Sequence, residues 1–226
     1  MKTTDANSAN GRPRPAVLTD FDDTAAVQNV AELLLNRFGD PDWTCVRQRF
    51  RDGHLNLKEY QEITFRNIQA DRATMQAYVK EHANLRPYFR EMWGFCQTND
   101  IPMAVVSQGL DFYIQALLER EGLGRVPVYA VNTDFQDGEI SYRYDYTYPG
   151  KESEGNSKGL IVKSFQDRGC HVFFAGDGRS DLEAARVADV VFAHSTLAKF
   201  CDDEGIAYNH FEDFGVMLVS VQRFSR

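Results

Sequence analysis

Ala16-Val-Leu-Thr-Asp20-Phe-Asp22-Asp23-Thr24 is a short apolar run that ends in a cluster of acid. A strand buried on both faces of a parallel sheet reads as a continuous apolar run, and its C-terminal end is where such sheets carry their sites. Three further runs have this character: Pro102-Met-Ala-Val-Val-Ser107, Val126-Pro-Val-Tyr-Ala-Val131 and His171-Val-Phe-Phe-Ala-Gly176. Val190-Val-Phe-Ala193 is a shorter fifth. Helix-period segments lie between them, at 112–121, 159–168 and 181–188. Alternating β and α elements predict an α/β fold, a parallel sheet covered by helices with ligands beyond the strands' C-terminal ends.

Residues 25–84 break the rhythm: they read as successive amphipathic helices with charged faces and no strand-like run. This predicts a helical cap inserted into a core made of residues 15–24 and 85–226. Asp137-Gly138, between 128–135 and 139–146, is a hairpin signal. The second arm alternates Tyr142, Tyr144, Tyr146 and Tyr148, which share one face if the arm is a strand. A packed face of an edge hairpin is expected there rather than a substrate contact. Residues 1–14 are polar, with no apolar segment, and are expected to be a disordered leader.

The 226 residues carry a formal charge of -8. That balance argues against a nucleic-acid binder, whose affinity comes from clustered Lys and Arg, and points to a small-molecule partner. No stretch approaches the roughly 18 apolar residues of a membrane span. Cys45, Cys96, Cys170 and Cys201 are far apart and form no C-x-x-C pair, so neither a zinc site nor a redox motif is expected. Free thiols in a reducing cytoplasm fit this pattern. Oligomeric state is left open.

Strand spacing sends Asp20 and Asp22 to the same side, where their repulsion calls for compensation. Mg²⁺ supplies it, because a hard cation accepts carboxylate oxygens and also holds a substrate phosphate. Acid also caps helices and starts turns, so the cluster alone leaves that reading open. Ser107, in Val-Val-Ser-Gln-Gly, offers a hydroxyl and nearby N–H groups to a phosphoryl oxygen; an ordinary helix cap is the alternative. Lys158 begins a helix, whose dipole already makes that end positive. An anion between the two relieves the conflict; a solvated lysine is the alternative. Gly176-Asp177-Gly178-Arg179-Ser180-Asp181 follows a strand, with glycines for a tight turn and two acids four residues apart, a pattern for a metal-binding loop.

In this order, the four segments resemble the signature motifs of the haloacid dehalogenase superfamily, from residue 15 to nearly the end of the chain. The resemblance implies a Rossmann-like parallel sheet with helices on both faces and an inserted cap. The helical insert and Gly53-His-Leu-Asn-Leu57 look like the phosphoserine-phosphatase-like branch. The tail, from Val191-Phe-Ala through Phe211-Glu-Asp-Phe214, is similar to the methionine-salvage phosphatases of a phosphorylated keto-enol. It further implies Asp20 as nucleophile, Asp22 as general acid and base, and Ser107 and Lys158 as holders of the phosphoryl group, with Gln108 beside them. Asp20, the backbone carbonyl of Asp22, and Asp177 would hold Mg²⁺, and Asp181 would orient its water shell. The implied substrate is a small phosphorylated metabolite.

The chain also departs from that branch. Asn29 and Thr64 stand where phosphoserine phosphatases carry a glutamate and an arginine for the amino-acid head group, which weighs against phosphoserine. Tyr148-Pro-Gly-Lys-Glu-Ser-Glu-Gly-Asn replaces the cysteine-rich tract common in the methionine-salvage enzymes. Gln108 replaces a usual glycine, and either narrows the pocket or points away. Arg47 and Arg51 share a helix face, expected to be solvated with Asp42 and Asp52 as partners. A dehalogenase would need neither Asp22 nor Asp177, whereas a phosphomutase or phosphotransferase remains compatible. A catalytically dead binding protein would be expected to have lost one of Asp20, Asp22, Lys158 or Asp177.

Overall fold

Five successive buried residues, Pro15 to Thr19, make β1 (Arg14–Thr19) the central strand of the computed structural model, which describes residues 13–226. It pairs in parallel with β2 (Met103–Leu110) on one side and β5 (Cys170–Gly176) on the other. Outward from β2 come β3 (Val128–Gln136) and the antiparallel β4 (Glu139–Arg143); outward from β5 come β6 (Val190–Ala193) and β7 (Asn209–His210). The seven-stranded order is β4-β3-β2-β1-β5-β6-β7. Strand order reverses at β1, which opens a crevice at its C-terminal end.

Alternation along β1 sends Val17 to one apolar cluster and Ala16 and Leu18 to the other. The first face is covered by α5 (Phe89–Thr98), α6 (Asp111–Arg120) and α10 (Phe214–Phe224), through Met92, Phe112 and Phe214 among others. The second is covered by α7 (Lys158–Gln166) and the short α8 (Leu182–Ala185), through Ile161, Phe165 and Ala184. α9 (Ser195–Glu204) packs Leu197 and Cys201 beside β6. The sheet is thus apolar on both faces, as its continuous apolar runs predict.

Between β1 and α5 lie α1 (Val30–Phe38), α2 (Trp43–Arg51), α3 (Leu57–Arg66) and α4 (Arg72–His82). Their starts are capped locally. Asn29 accepts from the Glu32 N–H, Asn56 and Glu59 form a reciprocal capping box, and Asp71 accepts from the Thr74 N–H. The chain enters and leaves this insert through one narrow neck, where Ala26 bridges Leu85 and Val27 N–H bonds Asn84 O at 2.8 Å.

Several local expectations shift. β2 runs past Ser107 to Leu110, with an irregular register between Val106 and Leu110. The segment 181–188 is not one helix: a tight turn at Arg179–Asp181 precedes α8, because the Asp181 carboxylate folds back onto the N–H groups of Asp177 and Gly178. Asp137 and Gly138 both have positive φ, 52° and 83°, the turn that matches strand twist in a tight hairpin. β4 ends at Arg143, so only Tyr142 of the four tyrosines lies in a strand. Tyr142 and Tyr144 pack on the first cluster and Tyr146 on the second. Arg14 already pairs with Cys170, and the leader expected before it lies, for residues 1–12, outside the described residues. Among the described residues no helix is long and apolar enough to cross a membrane.

Candidate active site

Each strand bordering the crevice delivers a polar group to it. Asp20 follows β1, its N–H donating to Ala175 O at 2.9 Å; Ser107 lies on β2; Asp177 and Asp181 follow β5. Lys158 opens α7, behind a Ser157 cap that accepts from Leu160 N–H. Together with Asp22, Gln108 and residues of α1, α2 and α3, Asp20, Ser107, Lys158 and Asp177 line a cavity of about 330 Å³.

Asp20 and Asp22 share this cavity, but not through strand spacing. The strand stops at Thr19, and residues 21–25 coil into a wide turn in which Asp22 is extended and Asp23 takes a positive φ of 59°. Arg86 ties this turn down by donating to the carbonyls of Asp23 and Thr24. Asp22 therefore faces the start of α1: Oδ1 accepts from Val30 N–H at 2.7 Å, and Oδ2 accepts from the Tyr113 hydroxyl at 2.8 Å.

Lys158 is 1% exposed, which rules out a solvated surface lysine. Its Nζ lies 2.5 Å from Asp20 Oδ1 and 2.6 Å from Asp181 Oδ1. Asp181, fully buried, spends its second oxygen on the N–H groups of Asp177 and Gly178, both at 3.0 Å. It thus anchors the loop and the lysine together. Asp20, Asp177 and Asp181 each present an oxygen within 4.8 Å of the others, an arrangement that could hold a metal ion. The Asp22 carboxylate is outside this group.

Three carboxylates crowd around a single ammonium. Burial, then Asp181, raises Asp20 well above the ordinary carboxylate range despite Lys158. Burial and Asp181 push Asp177 up to about 7. Burial alone would lower Lys158, but Asp181 and Asp20 outweigh it and raise its pKa. Burial raises Asp22 to about 6, against the pull of the Tyr113 and Val30 hydrogen bonds.

Ser107 is not the cap of α6. Leu110 occupies that position, and Ser107 Oγ instead accepts from Gly109 N–H at 2.9 Å. Gln108 points its amide away, donating to Asn156 O at 2.7 Å, while its own carbonyl accepts from Gln61 of α3 at 3.0 Å. Asn29 lines the cavity and donates to Asp23 Oδ2, but Thr64 is absent from the lining and bonds back to Tyr60 O within its helix. The solvated face expected for the two arginines holds for Arg51, which is exposed, and is corrected for Arg47, which is half-buried. Arg47 pairs with Glu32 at 2.6 Å across two helices, both arginines line the cavity, and Gln48 takes Asp52. Helices α1 and α2 therefore do bring charge to the cavity, which the positions of Asn29 and Thr64 alone do not suggest.

Tyr113 went unread in the sequence. The available signal for Tyr113 was a tyrosine on the apolar face of α6, since a buried hydroxyl requires a partner.

Carboxylates and a buried ammonium gathered at the switch point of a parallel sheet define an α/β enzyme centre suited to an anion and a hard cation. The chain belongs to the haloacid dehalogenase-like hydrolase family, whose model matches residues 17–186. It is 29% identical over 204 residues to the 2-hydroxy-3-keto-5-methylthiopentenyl-1-phosphate phosphatase of Exiguobacterium sibiricum, covering 88% of this chain and 92% of that protein. It is 27% identical over 204 residues to the bifunctional enzyme MtnB/MtnX of Bacillus licheniformis, covering 89% of this chain but only 48% of that longer protein. The phosphoserine phosphatase of T. onnurineus superposes with a TM-score of 0.64 at 17% identity, over 92% of this chain and 94% of that one, a likeness of fold.

Proposed function

We propose that this chain is a Mg²⁺-dependent phosphatase of small phosphomonoesters, with Asp20 as nucleophile and Asp22 as acid and base. The observation that carries the reading is one cavity lined by Asp20, Asp22, Ser107 and Lys158. An Asp20 oxygen attacks phosphorus, and the bond to the ester oxygen breaks as that oxygen takes a proton from Asp22. Water then attacks the phosphorylated Asp20, losing a proton to Asp22 and releasing inorganic phosphate with Asp20 restored. Lys158, Ser107 and the backbone N–H groups around Gln108 hold the phosphoryl oxygens, since such transfer needs mainly positioning and charge neutralisation.

The residues fit a hard divalent cation: Asp20 and Asp177 have oxygens within 4.8 Å of each other, and burial together with crowding raises the pKa of both. Asp20, the carbonyl of Asp22, and Asp177 would hold Mg²⁺, with Asp181 beside them. When bound, the ion supplies positive charge to the phosphoryl oxygens. Residues 25–84 serve as the cap over a core of 15–24 and 85–226, and the protein works in the cytoplasm.

For the substrate we favour a phosphorylated keto-enol of the methionine-salvage type. The name of the Exiguobacterium sibiricum relative supports it, as does an apolar cavity wall of Phe50, Leu57, Tyr60 and Phe65. Phosphoserine is the second reading, favoured by the Glu32–Arg47 pair in the cavity. That pair is already neutralised at 2.6 Å, so a zwitterion must break it to gain its partners. The test compares kcat/KM for the two esters at equal pH and Mg²⁺. A preference for phosphoserine of about tenfold, or about 1.4 kcal/mol of transition-state binding, overturns the keto-enol reading.

A further inference from the structure

The hydroxyl of Tyr113 has an unusual partner for a core tyrosine. The side chain is fully buried on α6, between Phe21 and Phe112, where a phenylalanine would fill the same space. Yet its O–H donates to Asp22 Oδ2 at 2.8 Å, inside the lining of the cavity. The chain makes room for this contact at Gly109. A Cβ there would lie 2.0 Å from the Tyr113 hydroxyl oxygen and 2.9 Å from Asp22 Oδ2. The irregular register of β2 between Val106 and Leu110 spans this same glycine.

The two oxygens of Asp22 are not equivalent. Oδ1 accepts two backbone N–H groups at the start of α1, from Val30 at 2.7 Å and Ala31 at 3.4 Å. A carboxylate oxygen has two lone pairs, so Oδ1 is filled, whereas Tyr113 leaves Oδ2 with one. Among the described residues, Oδ2 is the Asp22 oxygen left with a lone pair free to carry a transferable proton. Resting on the phosphatase reading above, we infer that Tyr113 is the positioning residue of the acid step, turning the Asp22 carboxyl so that Oδ2 delivers the proton to the departing ester oxygen.

In that step the Asp20–phosphorus bond forms and the ester P–O bond breaks. The electron pair stays on the ester oxygen, which takes the proton from Asp22 Oδ2. Tyr113 keeps its own proton throughout. Its hydrogen bond strengthens as Asp22 becomes an anion, because bonds to ionised acceptors are about twice as strong as neutral ones. The contact therefore helps the transition state more than the ground state.

A series of aryl phosphates graded by the acidity of the leaving phenol tests this, with kcat/KM measured in Mg²⁺ for the wild type and Tyr113→Phe. This ratio reports the steps through departure of the phenol. p-Nitrophenolate leaves without needing a proton, whereas phenolate needs one. Tyr113→Phe should lose about tenfold or more on phenyl phosphate, a part of the roughly hundredfold or greater contribution of a general acid, and less than about threefold on p-nitrophenyl phosphate. The dependence on leaving-group acidity then steepens. Gly109→Ala, whose methyl displaces the hydroxyl, should steepen it too, and carries the test if the phenylalanine variant does not fold. Equal losses across the series, or none, overturn the role of Tyr113 while leaving the phosphatase reading intact. A wild type inactive on every ester overturns that reading and this inference with it.

Discussion

Lys158 Nζ lies 2.5 Å from Asp20 Oδ1 with the two side chains 1% and 6% exposed, so cation and anion share one desolvated pocket. Removing one member strands the other without water. Lys158→Met should therefore destabilise the protein by about 3–5 kcal/mol, since Asp20 and Asp181 both lose their ammonium. Thermal unfolding checks this: a fall on the order of 10 °C is expected for a chain of this size. An unchanged melting temperature would mean that the pair contributes little to the fold.

Asp20→Asn should abolish turnover and spare the fold. An amide cannot form the phosphorylated intermediate, while it keeps the volume of the carboxylate and can still accept from Lys158. Retention of more than about a hundredth of wild-type kcat, a barrier change under roughly 3 kcal/mol, would remove Asp20 from the nucleophile's role.

Mg²⁺ should stabilise the wild type against heat, because only the native state brings the oxygens of Asp20, Asp177 and Asp181 within 4.8 Å of one another. At about a hundred times its dissociation constant the gain is about 2.7 kcal/mol. Asp177→Asn should lose most of this shift. A variant that responds to Mg²⁺ as fully as the wild type would move the ion away from Asp177.

His194 provides a further pH test. Burial, then the nearby Arg86, lowers its pKa, while Nδ1 meets Ser195 Oγ at 2.9 Å. The folded state thus binds the proton less readily than the unfolded chain, whose histidine titrates near about 6.5. The stabilising contribution is fully present above that value and is lost as pH falls through the folded pKa. Urea unfolding at pH 7.5 and 5.5 should show wild-type stability declining more than that of His194→Gln. Parallel declines would leave His194 without a part in acid sensitivity.

The apolar runs and the Asp137-Gly138 turn were legible because they express local rules: burial on two faces and positive φ at a tight turn. The same locality explains why Asp20, Lys158 and Asp177 stand out, since each lies at a strand end or helix start, whereas Ser107 lies inside β2. Expectations failed where a contact crosses the chain. Arg47 was assigned its sequence neighbours but pairs with Glu32, 15 residues away, and Tyr113 reaches Asp22 from 91 residues away.

By itself, then, the sequence determined the strands, the hairpin and the residue types at the crevice, because short-range sterics and burial periodicity are written into neighbouring positions. Only the tertiary structure decided that Lys158 is buried between Asp20 and Asp181, that Gln108 turns its amide to Asn156, and that Tyr113 holds Oδ2 of Asp22. Those relationships depend on how the insert, β2 and α6 pack around the cavity, and long-range packing sets distances that no local pattern encodes.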